Sequence, residues 1–117
     1  MTETPNTSAA LFAGKDEIVQ VIYTRLLEAL RTIGPVQEDP KKTSIHLARK
    51  SAFAGVATRK DNIILTLKAA GDIKDPRVIN RQQASANRWH LDIRLREAKD
   101  VDAQLERWLK EAYELAG

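Results

Sequence analysis

The sequence predicts an α+β fold with two layers: an antiparallel sheet of about four strands, with the N-terminal and C-terminal helices packed on one face. Apolar residues recur every three or four positions near both ends of the chain, whereas between the ends they alternate at every second position. The length of 117 residues is enough for one domain with its own core. We expect residues 11–117 to form that domain and the polar residues 1–10 to be a disordered tail.

The first helix is predicted to run from Lys15 to Ile33. Gly34 and Pro35 follow at once and give the usual stop, because glycine accepts unusual backbone angles and proline cannot continue the helical hydrogen bonds. The stripe that should face the core is formed by Val19, Ile22, Leu26, Leu30 and Ile33.

Three consecutive strands are predicted next, as an antiparallel meander. Ile45 and Leu47 alternate with polar residues in the first strand. The second strand covers residues 52–58, where Gly55 indicates a bulge or a close backbone approach. The third strand covers residues 63–68, which alternate in the same way.

The last third of the chain is predicted as an irregular passage, one strand and one helix. Residues 70–87 contain turn-forming residues, so we expect a loop with a short helical turn near residues 77–83. Residues 89–96 alternate strictly as a fourth strand. From Val101 to Ala116 a wide apolar stripe predicts the closing helix.

If both helices cover one face of the sheet, the alternate strand residues form the other face. That face is polar and mostly basic, with Ile64 as its apolar exception. We expect it to carry Ser44, His46, Ala48, Thr66, Lys68, His90, Asp92 and Arg94.

Charge is unevenly distributed along the chain. The net charge is +3, yet residues 41–96 carry 13 basic residues against 4 acidic ones, and the two flanking segments are acidic. Residues 41–60 contain six basic residues and no acidic one. Clustered Lys and Arg focus positive potential, so this pattern indicates either an anion-binding surface or a basic middle that the acidic ends neutralise.

Three segments carry a family resemblance: KKTSIHL, AFAGVATRK and DVDAQLERWLKEAYELAG. They resemble an uncharacterised bacterial family, a domain of unknown function that is also found at the C-terminus of predicted transport proteins. More distantly, WHLDIRL and the helix with WLKEAYEL resemble YjbR-like proteins, small α+β domains for which DNA binding has been suggested. The resemblance implies the fold and supplies no catalytic motif.

The functional hypothesis is a non-catalytic binding or interaction module that uses a basic sheet and hairpin surface for nucleic acid or another anionic ligand. The alternative is a small-molecule or phosphate-binding domain, with or without catalysis, that uses the polar sheet face. No catalytic residue is assigned, because no nucleophile elbow or P-loop pattern is present. The candidate ligand-binding residues are Lys42, Arg49, Lys50, Arg59, Lys60, His46, Lys68, His90 and Arg94.

Several other classes are disfavoured by composition. The absence of cysteine excludes disulfides, thiolate zinc sites and iron–sulfur clusters. No cofactor or metal is expected, although His46, His90 and Asp92 could together offer three metal ligands. No apolar run reaches the length of about 20 residues that crosses a membrane, so a cytoplasmic location is expected. A protein partner or a second copy is a further candidate partner, if any of Trp89, Trp108 and Tyr113 stays exposed.

Overall fold

The computed structural model describes residues 11–116, so the predicted tail at residues 1–10 lies outside the described part. Two long helices enclose a run of strands in the chain order. The elements are α1 (Glu17–Ile33), β1 (Gln37–Pro40), β2 (Ser44–Ala48), β3 (Ala52–Thr58), β4 (Ile63–Ala69), β5 (Val78–Ser85), β6 (Arg88–Leu95), a 3-10 turn (Ala98–Asp100) and α2 (Ala103–Leu115).

The strands form one open antiparallel sheet in the order β1-β2-β3-β4-β6-β5. The α+β class is therefore confirmed, and the bounds of both helices and of β2, β3, β4 and β6 lie close to those predicted. The expected number of about four strands is wrong, because the sheet of the described chain has six. The two strands that the sequence pattern missed, β1 and β5, are the two edges.

The strand β5 corrects the prediction of a loop with a helical turn over residues 70–87. Every β5 residue after Val78 is exposed, so no apolar alternation marks the strand in the sequence. Backbone pairing with β6 forms it instead. Arg94 of β6 extends this pairing, since its backbone N–H donates to the carbonyl of Arg77 at 2.8 Å.

The core lies between the sheet and the two helices. Directly paired residues share a face of a sheet, and the rows that run through β2, β3, β4 and β6 on one face are almost entirely apolar. One such row is Ile45, Val56, Leu65 and Ile93, all fully buried. These strand residues and the buried stripes of α1 and α2 join a single hydrophobic cluster, which places both helices on this inner face.

One residue of β3 departs from the alternation. The register shifts between Leu47 and Ala48, which pair with Ala54 and Ala52, so Phe53 is the extra residue of a β-bulge. Its fully buried ring meets the ring of Tyr113 in α2 edge-on, with 5.5 Å between centroids. A bulge was one of the two alternatives expected at Gly55. It lies two residues earlier, at Phe53, and turns an aromatic ring into the core.

The large aromatic residues of the C-terminal part are mostly covered. Trp108 and Tyr113 are buried, and Trp89 is half-buried against the core. The guanidinium of Arg77 lies 5.1 Å from the centroid of the Trp108 ring. The exposed aromatic surface that would have indicated a protein interface is therefore not found on Trp108 or Tyr113.

Candidate functional site

The outer face of the sheet, opposite the helices, has a trough that runs along β3. His46, Gly55 and Thr66 are cross-strand partners in one row, so all three face outward. Strands lie about 4.8 Å apart, which puts the backbones at His46 and Thr66 about 10 Å apart with only a glycine between them. Ala57, the next outward residue of β3, is also small. The missing side-chain volume on β3 therefore opens the trough.

This β3 trough has a volume of about 450 Å³ and a mostly apolar lining. A Cβ atom built on Gly55 would have only one neighbour within 4 Å, the Cδ2 atom of His46 at 4.0 Å, so the space above the glycine is open. The outward side chains that line it are Ser44 and His46 of β2, Ala57 of β3, Thr66 and Lys68 of β4, and His90 of β6.

One lysine ammonium group and two imidazole rings, from Lys68, His46 and His90, border the trough. None of the lining residues is Asp or Glu. Lys68 and His90 are direct cross-strand partners, so their Cβ atoms lie about 5 Å apart. Within residues 11–116, the side chains of Lys68, His90 and His46 make no hydrogen bond or ion pair. Their donor groups are therefore available to a ligand that carries negative charge.

Both acidic residues that the strand pairing places on this face are already engaged. Asp39 lies opposite His46 on β1 and is paired with Lys41 at 2.8 Å. The Thr66 hydroxyl donates to Oδ1 of Asp92 at 2.7 Å, and the Asn80 amide donates to Oδ2 at 3.5 Å. The three-ligand metal set of His46, His90 and Asp92 is not assembled, because no group of three metal-binding side chains occurs among residues 11–116.

Arg94 lies on the predicted face but not in the trough. Its cross-strand partner is Ile64, the apolar residue of that face. Ile64 is buried but does not belong to the main hydrophobic cluster. The Nε atom of Arg94 is buried and has no hydrogen-bond partner among the described residues. Its position beside Ile64 indicates that the side chain covers this apolar residue.

The basic residues of the hairpin stretch are divided between opposite ends of the sheet. Lys42 precedes β2, and Arg59 and Lys60 follow β3, so these three lie at one end. Arg49 and Lys50 lie in the β2–β3 turn at the other end. Because β3 has seven residues at about 3.3 Å each, roughly 20 Å separates the two groups. The structure does not bring the five residues into one patch.

Arg49 has a structural contact that accounts for its position. Its guanidinium carbon lies 4.5 Å from the centroid of the Tyr113 ring, and its Nη1 donates to the Tyr113 carbonyl at 3.3 Å. The side chain therefore joins the β2–β3 turn to the end of α2 through a cation–π contact and a hydrogen bond. It is directed away from the β3 trough.

A family model described as domain of unknown function DUF5655 matches residues 8–116, almost the whole chain. The chain belongs to this family. No curated protein and no solved structure matches it. Among the described residues of this DUF5655 domain, no helix has the length and apolar character needed to cross a membrane.

The sequence predicted the outer face of the DUF5655 domain correctly, but the small residues that open the trough were not recognised. Ser44 and Thr66 were expected on this face and were not chosen as binding residues, although both line the trough. Gly55 was interpreted as a backbone feature. The signal that could have found the trough is the pair of small outward residues, Gly55 and Ala57, between two strands that carry longer outward side chains.

Proposed function

We propose that this DUF5655 domain is a binding module for a small organic anion, which it holds in the β3 trough. One observation carries the proposal: Lys68 and His90 lie opposite each other at the border of an open cavity without an acidic lining residue. An ammonium group and ring N–H groups donate strong hydrogen bonds to carboxylate and phosphate oxygens.

The floor of the trough favours a ligand with an apolar part. Gly55 and Ala57 present only backbone and methyl groups, and cavities that bind small molecules are mostly apolar with few polar groups that fix orientation. Burial of a hydrocarbon or ring on this floor contributes about 25 cal/mol per Å² of apolar surface. The donors at the border then select for negative charge at one end of the ligand.

The same geometry disfavours nucleic acid as the principal ligand. Single-stranded bases need exposed aromatic rings for stacking. Phe53, the aromatic residue of the basic stretch, is fully buried against Tyr113. The hairpin cations that would contact phosphates lie at opposite ends of the sheet, as described above.

The test is a titration followed by two-dimensional ¹H–¹⁵N NMR, with benzoate, octanoate and inorganic phosphate as probes at low salt. The expected result is a set of shifts confined to β2, β3, β4 and β6 around the trough. Lys68→Ala and His90→Ala should each weaken binding of the best probe about tenfold or more, because a hydrogen bond to a charged group contributes about 1.5–3 kcal/mol.

Two further variants make the titration decisive. Lys110→Ala removes an exposed lysine from α2, on the opposite side of the core, and should bind as the wild type does. Gly55→Val should keep the fold, since the space above Gly55 is open, and should abolish binding by filling the trough. The proposal is refuted if no probe binds, or if Lys68→Ala and Lys110→Ala have the same effect.

A further inference from the structure

A second cavity continues the β3 trough at the end of the sheet. It has a volume of about 400 Å³ and shares two lining residues, Ser44 and Ala57, with the trough. Its other walls come from the segment before α1 and from the turns that flank β2 and β3. The two cavities therefore form one groove along β3, with Ser44 and Ala57 at the junction.

Three cations surround this second cavity: Lys15, Lys42 and Arg59. No acidic residue is part of its lining. The side chains of these cations make no ion pair or hydrogen bond with any residue of the described range 11–116, whereas the adjacent Lys41 is paired with Asp39 at 2.8 Å. The end of the groove therefore keeps its positive charge.

The segment that carries Lys15 is held in place by the sheet. The Asp16 N–H donates to the Lys60 carbonyl at 2.7 Å, and the Thr58 hydroxyl donates to the Leu11 carbonyl at 2.7 Å. These hydrogen bonds to the backbone at Leu11 and Asp16 hold the segment of Lys15 beside the end of β3. A cation held by a fixed backbone loses less freedom when it binds a ligand.

The two basic groups are far enough apart to bind different parts of one ligand. Ala54 pairs with Leu67, so Lys68 lies level with Phe53 near the start of β3. Arg59 follows the other end of the strand. Six residues of strand separate these levels, which corresponds to roughly 20 Å between backbones. Long side chains that lean inward shorten the gap between their charged ends.

We propose that the groove is bipartite and takes an elongated organic dianion, with one anionic group at Lys68 and His90 and the other at Lys15, Lys42 and Arg59. The inference rests on the proposed function, because the first anionic group occupies the trough described there. The apolar middle of the ligand lies over Gly55 and Ala57, which present only backbone atoms and one methyl group at the outer surface of β3. A single hydrocarbon chain fits this middle part best, because the floor is only one strand wide.

Straight-chain α,ω-dicarboxylates with matched monocarboxylates test this by isothermal titration calorimetry. The series runs from octanedioate through dodecanedioate to hexadecanedioate, each compared with the monocarboxylate of the same length. The wild type should bind a long dicarboxylate about tenfold or more tightly than its monocarboxylate, because the second charge is paired as well. Octanedioate, which is too short to span the groove, should show no such gain.

Variants at the two ends separate the two proposals. Lys42→Ala combined with Arg59→Ala should remove the gain of the long dicarboxylate and leave benzoate binding at the trough unchanged. Lys68→Ala should weaken both ligands, and Lys110→Ala should weaken neither. If long dicarboxylates gain nothing over monocarboxylates while benzoate still binds, the bipartite groove is refuted and the trough remains.

Two other outcomes overturn the inference in different ways. Loss of all binding, including benzoate, refutes the proposed function together with the bipartite groove. A fluorescein-labelled oligodeoxythymidylate is the probe for nucleic acid. If it binds with the same dependence on Lys42, Arg59 and Lys68 while no dicarboxylate binds, the groove serves nucleic acid and the small dianion is excluded.

Discussion

Replacement of Gly34 by Ala should destabilise the domain through a contact between the ends of the two helices. Gly34 follows α1, and an added Cβ atom would lie 2.5 Å from the Tyr113 hydroxyl oxygen and 3.0 Å from Cζ of the same ring. Real Cβ atoms do not approach other heavy atoms this closely. Either the backbone after α1 or the tyrosine ring must therefore move.

The tyrosine ring is held too firmly to move at little cost. It is 6 % exposed, it meets Phe53 edge-on, and the Arg49 guanidinium covers it at 4.5 Å. Its hydroxyl also donates to the Pro35 carbonyl at 2.8 Å. Overpacking of a filled core costs about 1–3 kcal/mol, and loss of the hydrogen bond costs about 1 kcal/mol more. A gain of about 0.4–1 kcal/mol from the stiffer unfolded chain offsets part of this.

The expected net loss is therefore about 1–3 kcal/mol, measured by urea unfolding with the slope m unchanged. Gly71→Ala is the matched control, since nothing lies within 4 Å of an added Cβ there, and it should cost nothing. In a Tyr113→Phe background the cost of Gly34→Ala should fall, because the nearest atom has been removed. Equal stability of Gly34→Ala and wild type, or an unchanged cost in the Tyr113→Phe background, would refute the contact.

Two further predictions concern Arg77, which joins the segment before β5 to the start of α2. Arg77→Gln should cost about 2 kcal/mol or more in urea unfolding. The reason is that the Asp75 carboxylate and the Asp100 carbonyl lose hydrogen bonds of 2.9 and 2.7 Å. Arg107→Gln, on the exposed side of α2, is the control and should cost nothing measurable. Hydrogen bonds from Arg77 hold the pKa of Asp75 below its usual value of 3.8, and the hydrogen bond from the Leu105 backbone does the same for Asp102, with Arg77 adding to it. A carboxylate with a depressed folded-state pKa stabilises the fold fully above its unfolded pKa and loses this effect as pH falls through the folded value. The melting temperature of the wild type should therefore drop below about pH 4, and that of Asp75→Asn should depend less on pH over the same range; parallel curves would contradict the assignment.

The parts of the fold that the sequence predicted are those where burial imposes a period. The stripe of α1 and the strict alternation of β6 reflect contact with a core on one side and water on the other. The strand β1, with the sequence QEDP, and the strand β5 have no such constraint, because each is an edge that pairs with one neighbour. Backbone hydrogen bonds form these strands, and such bonds require no alternation of apolar side chains.

The candidate site, like the fold, could be predicted only in part. Alternation was enough to place His46, Lys68 and His90 on one face, and the register then put Lys68 opposite His90. Alternation could not show that Arg49 and Arg59, both candidate ligand-binding residues of the hairpin, lie far apart. Successive turns of a meander lie at opposite ends of its strands, so residues close in sequence were separated by the whole length of β3.

The role of each cation depends on which partner the fold gives it, and not on the charge of its segment. Arg25 meets Glu106 at 2.9 Å, and Arg77 meets Asp75 at 2.9 Å, so these residues balance acidic groups of the helical layer and of the loops. Lys68 and Lys42 have no such partner within the described chain, and both border the groove along β3. Lys42 is exposed and Lys68 is half-buried, and neither gains an ion pair from folding within the described chain. Their replacement should therefore change the free energy of unfolding little. Replacement of Lys68 should therefore lower ligand affinity, whereas replacement of Arg77 should lower the free energy of unfolding, so these two variants distinguish the two classes of cation.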